Sequence, residues 1–291
     1  MFPRFTVLAS GSSGNSSLLE VDGFGLLLDI GLGPRQLASR LTTSGRSWQN
    51  VQAVLLTHTH GDHWNFRTLA ALLAKRIPLY CHDEHRAVLE AECPPGLYPA
   101  LVGARLLRTY RDDDVLVFAG ALECLPLAVR HDSGATFGFR ITGPADLFGA
   151  GWSIGYAADL GCWDARLADA LSGVDLLALE FNHDVAMQRS SGRHPMLIAR
   201  VLGDEGHLSN AQAAALLRQM LINNSERRPR QIVQLHLSRQ CNHPRLAAQA
   251  AQSVLDELGL AIPIHTAIQH NPSPAFECGN VVRDSVAAAG E

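Results

Sequence analysis

The sequence has little that would staple, export or anchor it. Its six cysteines (Cys81, Cys93, Cys124, Cys162, Cys241, Cys278) are scattered, with no Cys-x-x-Cys pair. Neither a disulfide framework nor a cysteine-based zinc site is indicated, and reduced thiols of this kind suit a cytoplasmic protein. No apolar run approaches the roughly 20 residues that span a bilayer, so no membrane association is expected. Met1-Phe2-Pro3-Arg4-Phe5 lacks the charged start and long apolar stretch of a signal peptide. Lysine is almost missing, Lys75 being the only one, and the net charge is −4. A strong non-specific nucleic-acid binder carries the opposite balance. There is also no Pro/Ser/Gly-rich linker inside residues 1–268. One domain is expected there, with residues 269–291, rich in Gly, Ala and Ser, as a flexible tail.

What is present is core and imidazole. Hydrophobic residues make up 47% of the 291, enough for a substantial interior. Thr57-His58-Thr59-His60-Gly61-Asp62-His63 packs three imidazoles and a carboxylate into a few residues. The run before it, Val51 to Leu56, reads as a buried strand, and Trp64 to Ala74 has apolar residues at helical spacing. A short loop where a strand hands over to a helix therefore carries the cluster. His58 and His60 are two apart and can point the same way, while Asp62 and His63 lie on the turn into the helix. One metal ion can take the first pair and a second the other. Imidazole suits zinc, iron, cobalt or nickel, and the carboxylate also admits manganese. A solvated loop has no reason to place four ligand-type side chains directly after an apolar strand.

Further acids and histidines stand at strand ends. Asp29 closes the run Gly25 to Leu28 and must be paired or bonded to backbone, which suits orienting the ligand loop; capping the helix that starts at Gly33-Pro34-Arg35 is the competing role. His131 follows a meander of strands over Val115–Phe118 and Leu122–Leu127. Asp159 ends the strand Trp152–Ala157 and can bridge two cations. Leu176–Glu180 is a buried strand running into Phe181-Asn182-His183-Asp184, and Ile232–Leu235 delivers His236. His207 precedes a helix over Ala211–Ile222 capped by Ser209 or Asn210. His82 and His85, by contrast, belong to a helix start where neighbouring acids are ordinary dipole partners. Cys93 to Gly103 reads as a loop, and the stretch after Asp184 as a polar, Arg-rich insertion. Nine arginines against three acids between Ala186 and Arg245 make part of that region a candidate phosphate-facing surface. Ala9 to Ser17 is a mobile, donor-rich loop whose amides could cradle an anion, or else a surface hairpin connection. The expected architecture is α/β (α+β): a four-layer αβ/βα sandwich with its metal site at one edge, where strand ends from both sheets converge.

His58-Thr59-His60-Gly61-Asp62-His63 resembles the His-x-His-x-Asp-His signature of the metallo-β-lactamase fold superfamily. Asp29, His131, Asp159 and His236 match that superfamily's other motifs in chain order. The resemblance implies one metal site of His58, His60 and His131, a second of Asp62, His63 and His236, and a bridging Asp159. Leu8 to Asn15, Glu180 to Asp184, Gly206 to Asn210 and His236 to Arg239 resemble a narrower branch, the YycJ/WalJ-like group, regarded as DNA exonucleases acting from the 5′ end. The last two segments are also similar to motifs of transfer-RNA 3′-processing enzymes. Gln240-Cys241-Asn242 departs from the Glu-Asn-Asn usual in the branch.

The implied function is two-metal phosphodiester hydrolysis of nucleic acid, DNA before RNA, with two divalent ions, zinc or manganese. Asp62 and His207 are the expected catalytic residues, His207 protonating the leaving oxygen, with Glu180 or Asp184 holding its tautomer. Ser10, Ser12, Asn15, Ser238 and Arg239 are expected to grip a terminal phosphate. His183 either lines the substrate groove or caps the strand end. A hydrolase for small lactones, thioesters or cyclic phosphodiesters is the alternative with the same cage. No protein partner can be read.

Overall fold

A computed structural model describes residues 3–144 and 151–278. The first half runs β1 (Arg4–Ala9), β2 (Ser16–Val21), β3 (Phe24–Leu28), α1 (Pro34–Thr43), β4 (Ala53–Leu55) and α2 (Phe66–Lys75). It continues through β5 (Leu79–His82), α3 (His85–Glu92), α4 (Leu97–Gly103) and β6 (Leu107–Tyr110). The second half begins with the meander β7 (Leu116–Phe118), β8 (Leu122–Ala128), β9 (Phe137–Thr142) and β10 (Ser153–Ala157). Then come α5 (Ala165–Leu171), β11 (Leu176–Glu180), α6 (Val185–Arg189), α7 (Pro195–Leu202) and α8 (Asn210–Asn223). The chain closes with β12 (Gln231–Leu235), α9 (Pro244–Glu257), β13 (Ile264–Thr266) and β14 (Phe276–Glu277). Among these no helix is long and apolar enough to cross a membrane.

Two seven-stranded sheets result, ordered β14-β1-β2-β3-β4-β5-β6 and β13-β12-β11-β10-β9-β8-β7. Side-chain alternation explains why they stack. In β3, Leu26 and Leu28 enter the core shared with Phe139, Ile154, Tyr156 and Val233 of the other sheet, while Leu27 faces the outer layer with Leu37 and Leu72. In β11, Leu176 and Ala178 point inward, and Leu177 and Leu179 meet Leu216 and Leu217 of α8. Strands buried on both faces need helices on the outside, which gives the four layers expected from the sequence. Each half carries hairpins at one side and parallel strands at the other: β3, β4, β5 and β6 are parallel, as are β10, β11, β12 and β13. The carboxyl ends of β3, β4, β10, β11 and β12 hold the acids and histidines of interest, the position at which parallel sheets present ligands.

The expected loop Cys93 to Gly103 contains α4, whose Tyr98 and Leu101 are buried against the first sheet. It is seven residues long and has Pro99 in its first turn, where proline is tolerated but helical periodicity is hard to see. The polar insertion after Asp184 is two short helices, α6 and α7. The expected tail is corrected from its start. Gln269 is buried, and Phe276 and Glu277 pair with Phe5 and Arg4 as an edge strand on the first sheet. The remainder of the tail lies outside the described residues.

Candidate metal centre

Positioning begins with Asp29, fully buried just past β3. Its Oδ1 accepts the backbone N–H of Thr57 at 2.8 Å and its Oδ2 accepts Nδ1–H of His63 at 2.7 Å. The Thr57 hydroxyl lies 3.0 Å from both oxygens and 2.9 Å from His58 Nδ1. Asp29 thus ties together the first and last residues of the histidine loop, in the ligand-orienting role rather than as a cap of α1. The loop itself is a tight turn, with His63 N–H donating to the His60 carbonyl at 2.9 Å. Gly31 permits the β3 connection to pass close by, since a Cβ there would fall 1.8 Å from the Asp62 carbonyl oxygen.

The second sheet supplies the rest. Asp29, Asp159 and His236 all follow strand ends with positive φ (65°, 57° and 53°), a conformation that turns each side chain back over the sheet edge. His131 is set by Gly161 N–H on the Arg130 carbonyl and by its own Nδ1–H on the Gly206 carbonyl at 2.8 Å. His236 is fixed from both sides: its backbone N–H donates to Ser10 Oγ at 2.7 Å, and Asn182 Nδ2 donates to its carbonyl at 2.8 Å.

The result is two adjoining groups of ligand-type atoms. His58, His60 and His131 offer atoms within 4.8 Å of one another, and so do Asp62, His63 and His236. Asp159 stands between them, joining His58 and His63 on one side and His207, His236 and Glu180 on the other. His131 Nε2 is 3.1 Å from His60 Nδ1, and His236 Nε2 is 3.2 Å from Asp62 Oδ2.

Electrostatics fit cations at these positions. Burial and neighbouring His63 hold His58 neutral, its pKa well below the ordinary value, and its Nε2 is enclosed with no hydrogen-bond partner. Both oxygens of Asp159 are likewise enclosed without an aligned donor, although His63 Nε2 comes to 2.5 Å and His236 Nδ1 to 2.7 Å. Close approach without hydrogen-bond alignment is what ligand atoms converging on shared points produce. A buried carboxylate needs cationic neighbours, which here are the imidazoles of His63 and His236, and a divalent cation would serve in their place. Burial opposes charge on His63, yet Asp159 and Asp29 outweigh it and lift its pKa to about 10. Burial likewise works against ionised Asp62, but His236 and His63 bring its pKa down to about 2.

His207 borders this cluster and keeps 20% of its side chain in solvent. Its Nδ1 lies 2.8 Å from Glu180 Oε1, while Glu180 Oε2 accepts the N–H groups of Leu160 and Leu208 at 3.1 Å. Burial disfavours the imidazolium, but Glu180 and Asp159 raise its pKa to about 9. Of the two acids open from the sequence, Glu180 holds His207. Asp184 instead caps α6 through the Met187 N–H.

Several expected substrate contacts are arranged differently. Asn15 is buried: its Oδ1 accepts the Gly11 N–H at 2.8 Å and its Nδ2 donates to the Asp62 carbonyl at 3.2 Å, so it shapes the site instead of facing substrate. Ser10 is buried too, its oxygen taken by His236. The Ser/Gly loop is pinned: Gln269 accepts the Ser13 N–H at 2.9 Å and donates to the Gly14 carbonyl at 2.8 Å. With Gly11, Ser13 and Gly14 amides engaged internally, that loop is no open anion cradle. Ser12 is exposed, as is Arg239, and Ser238 is half-buried with its hydroxyl accepting the Cys241 N–H. His183 is fully enclosed and neither ring nitrogen has a partner; burial takes its pKa down to about 4, so it lines no open groove. His85 donates from Nε2 to the Ala135 carbonyl and accepts the His82 N–H at Nδ1, leaving no nitrogen for a metal ion. Sequence reasoning missed Thr57, Asn182 and Gln269. Thr57 adjoins the motif, whereas the contacts of Gln269 span some 255 residues and have no local signal.

Two face-to-face sheets flanked by helices, with a His/Asp cluster at the carboxyl ends of their strands, define the metallo-β-lactamase fold class. The chain belongs to the β-lactamase superfamily domain family, whose sequence model matches residues 26–236. It is 29% identical over 263 residues to exodeoxyribonuclease WalJ of Streptococcus pneumoniae serotype 2 (strain D39 / NCTC 7466), covering 90% of this chain and 91% of that one. It is 27% identical over 268 residues to exodeoxyribonuclease YycJ of Bacillus anthracis, covering 89% and 91% respectively. The solved metallo-β-lactamase fold protein YhfI of Bacillus subtilis superposes with a TM-score of 0.63 at 17% identity, covering 93% of this chain and 99% of that one.

Proposed function

We propose that this protein is a metal-dependent phosphodiesterase that hydrolyses DNA as an exonuclease, working from the 5′ end. The observation that carries the reading is the crowding of enclosed ligand atoms on His58 and Asp159 that have no aligned hydrogen-bond donor, beside one imidazole, His207, that is both open to solvent and held by a buried acid. The exodeoxyribonuclease relatives, similar over nine-tenths of their length, supply the substrate class.

His58, His60 and His131 would hold one divalent cation, zinc or manganese, and Asp62, His63 and His236 a second, with Asp159 between them. Bound there, such cations supply Lewis acidity to a phosphoryl oxygen and bring the ionisation of water into the neutral range. The chain's own residues do the remainder. Asp29 and the Gly206 carbonyl fix which nitrogen of His63 and His131 faces the centre. Glu180 takes Nδ1 of His207, leaving the proton on Nε2 for the departing 3′-oxygen. With its pKa near 9 His207 is charged at neutral pH and able to give that proton.

The test is hydrolysis of 5′-phosphorylated duplex DNA, beside single-stranded DNA and RNA, with metal ions added back to chelated protein. His60→Ala and Asp159→Ala should stay folded and lose hydrolysis. Full activity in either variant, or preference for RNA, overturns the reading.

A further inference from the structure

Behind His236 lies a cavity of about 300 Å³, and three of the residues expected to grip a terminal phosphate, Ser10, Ser238 and Arg239, are in its wall. Residues after β12, after β13 and at the end of β1 line it. Ser10 links it to the centre, since it lines the cavity and accepts the backbone N–H of His236. The His236 ring is in turn 5.1 Å from the His207 ring, so His236 stands between the cavity and His207.

Its walls combine two chemistries. Leu237, Pro244 and Ile268 are apolar, and Ile268 is 45% exposed. Arg239 and His270 are basic or neutral, and no acid contributes to the lining. Arg239 is exposed and has neither a hydrogen bond nor an ion pair among the described residues. A guanidinium without a carboxylate partner can present its planar fork to phosphate oxygens. The volume is at the lower limit of small-molecule sites, about 300–1,000 Å³, which suits one nucleotide better than a length of strand.

We propose that this cavity seats the terminal nucleotide of the strand, with the base against Leu237, Pro244 and Ile268 and the 5′-phosphate on Arg239. The proposal rests on the exonuclease reading and adds to it the selection of the bond. Water adds to phosphorus and the P–O3′ bond breaks. The terminal residue leaves with the proton on its O3′, as a nucleoside 5′-monophosphate, and the next residue keeps the phosphate. A seat for the departing nucleotide thus sets which phosphodiester is cut and binds the first product.

Calorimetric titration of the metal-loaded full chain with dAMP, deoxyadenosine and inorganic phosphate tests this. Inorganic phosphate reports the phosphate contacts without a base, and dAMP should bind about tenfold tighter. Arg239→Gln should weaken dAMP about tenfold while leaving deoxyadenosine unchanged. Ile268→Trp, which fills the cavity, should bring dAMP to the level of phosphate. Both positions are exposed, so neither substitution threatens folding. Binding of dAMP that ignores both substitutions, or that never exceeds phosphate, overturns the proposal. If DNA is still cut in that case, the exonuclease reading survives without the seat. If the two variants lose dAMP as expected but the parent cuts no DNA, the seat stands as a nucleotide site and the exonuclease reading falls.

Discussion

His207 and His63 both touch Asp159, yet their surroundings fit them for different work. His63 is closed in, with Asp29 on one nitrogen and Asp159 on the other. His207 has Glu180 on Nδ1 and an open edge for the opposite nitrogen. Only the second can reach a substrate oxygen. Proton donation requires the imidazolium, whose pKa stands at about 9. The hydrolysis rate should therefore fall as pH rises through that value. His207→Ala should lower kcat by about 10²–10⁴-fold, the usual contribution of general acid catalysis, and remove the alkaline limb. A pH–rate profile measured with saturating DNA checks both; an unchanged alkaline limb in the variant excludes His207 as the acid. The choice of Glu180 over Asp184 shows what sequence could not resolve at this scale. Both acids flank the same turn, but Glu180 ends a strand in register with Leu235, beside His236, and Asp184 starts the next helix.

Elements were legible where their residues repeat with a period and obscure where they do not. β3 and β4 are apolar throughout because both faces are covered, and β11 and β12 keep long apolar runs interrupted only by Glu180 and by Gln231 and Gln234; the ligands follow shortly after β4 and β12 in the chain. The spacing of His58, His60, Asp62 and His63 carries its own geometry. By contrast β6 exposes Arg108 and Thr109, β14 has two residues, and α6 and α7 are short, so none shows a period long enough to recognise. Partners distant in sequence are invisible for the same reason. Gln269 is the instructive case, because it couples the C-terminal segment to the Ser/Gly loop, which in turn supports Asn15 and Asp62. Gln269→Ala would strand the Ser13 N–H and the Gly14 carbonyl, costing about 1–3 kcal/mol of stability. Denaturant unfolding measures this, and a loss of only a few tenths would mean that the loop holds its shape unaided.

At the scale of the whole molecule, each ligand group draws on both halves: His58 and His60 meet His131, and Asp62 and His63 meet His236. Cations bound there would clamp one sheet to the other, and stability should respond to them. The sign of the pH dependence follows from the histidines. Without metal ions, His63 and His207 balance the buried acids as imidazolium, with pKa values of about 10 and about 9 against an ordinary 6.5. Groups raised in this way give their full stabilisation below pH 6.5 and lose it as pH climbs through their folded-state values. A divalent ion would replace the proton on His63, the ligand of the two, while His207 keeps its own, so the ion's hold strengthens as protons become scarce. Chelated protein should therefore weaken progressively between pH 6.5 and 10, while protein saturated with zinc or manganese should not. The gap is on the order of 3 kcal/mol per site at a hundredfold excess over Kd. Thermal unfolding across that range, with chelator and with added metal ion, decides the matter. Two curves that superimpose would mean that no cation bridges the sheets, and a pair that converges as pH rises would reverse the proposed competition between protons and metal.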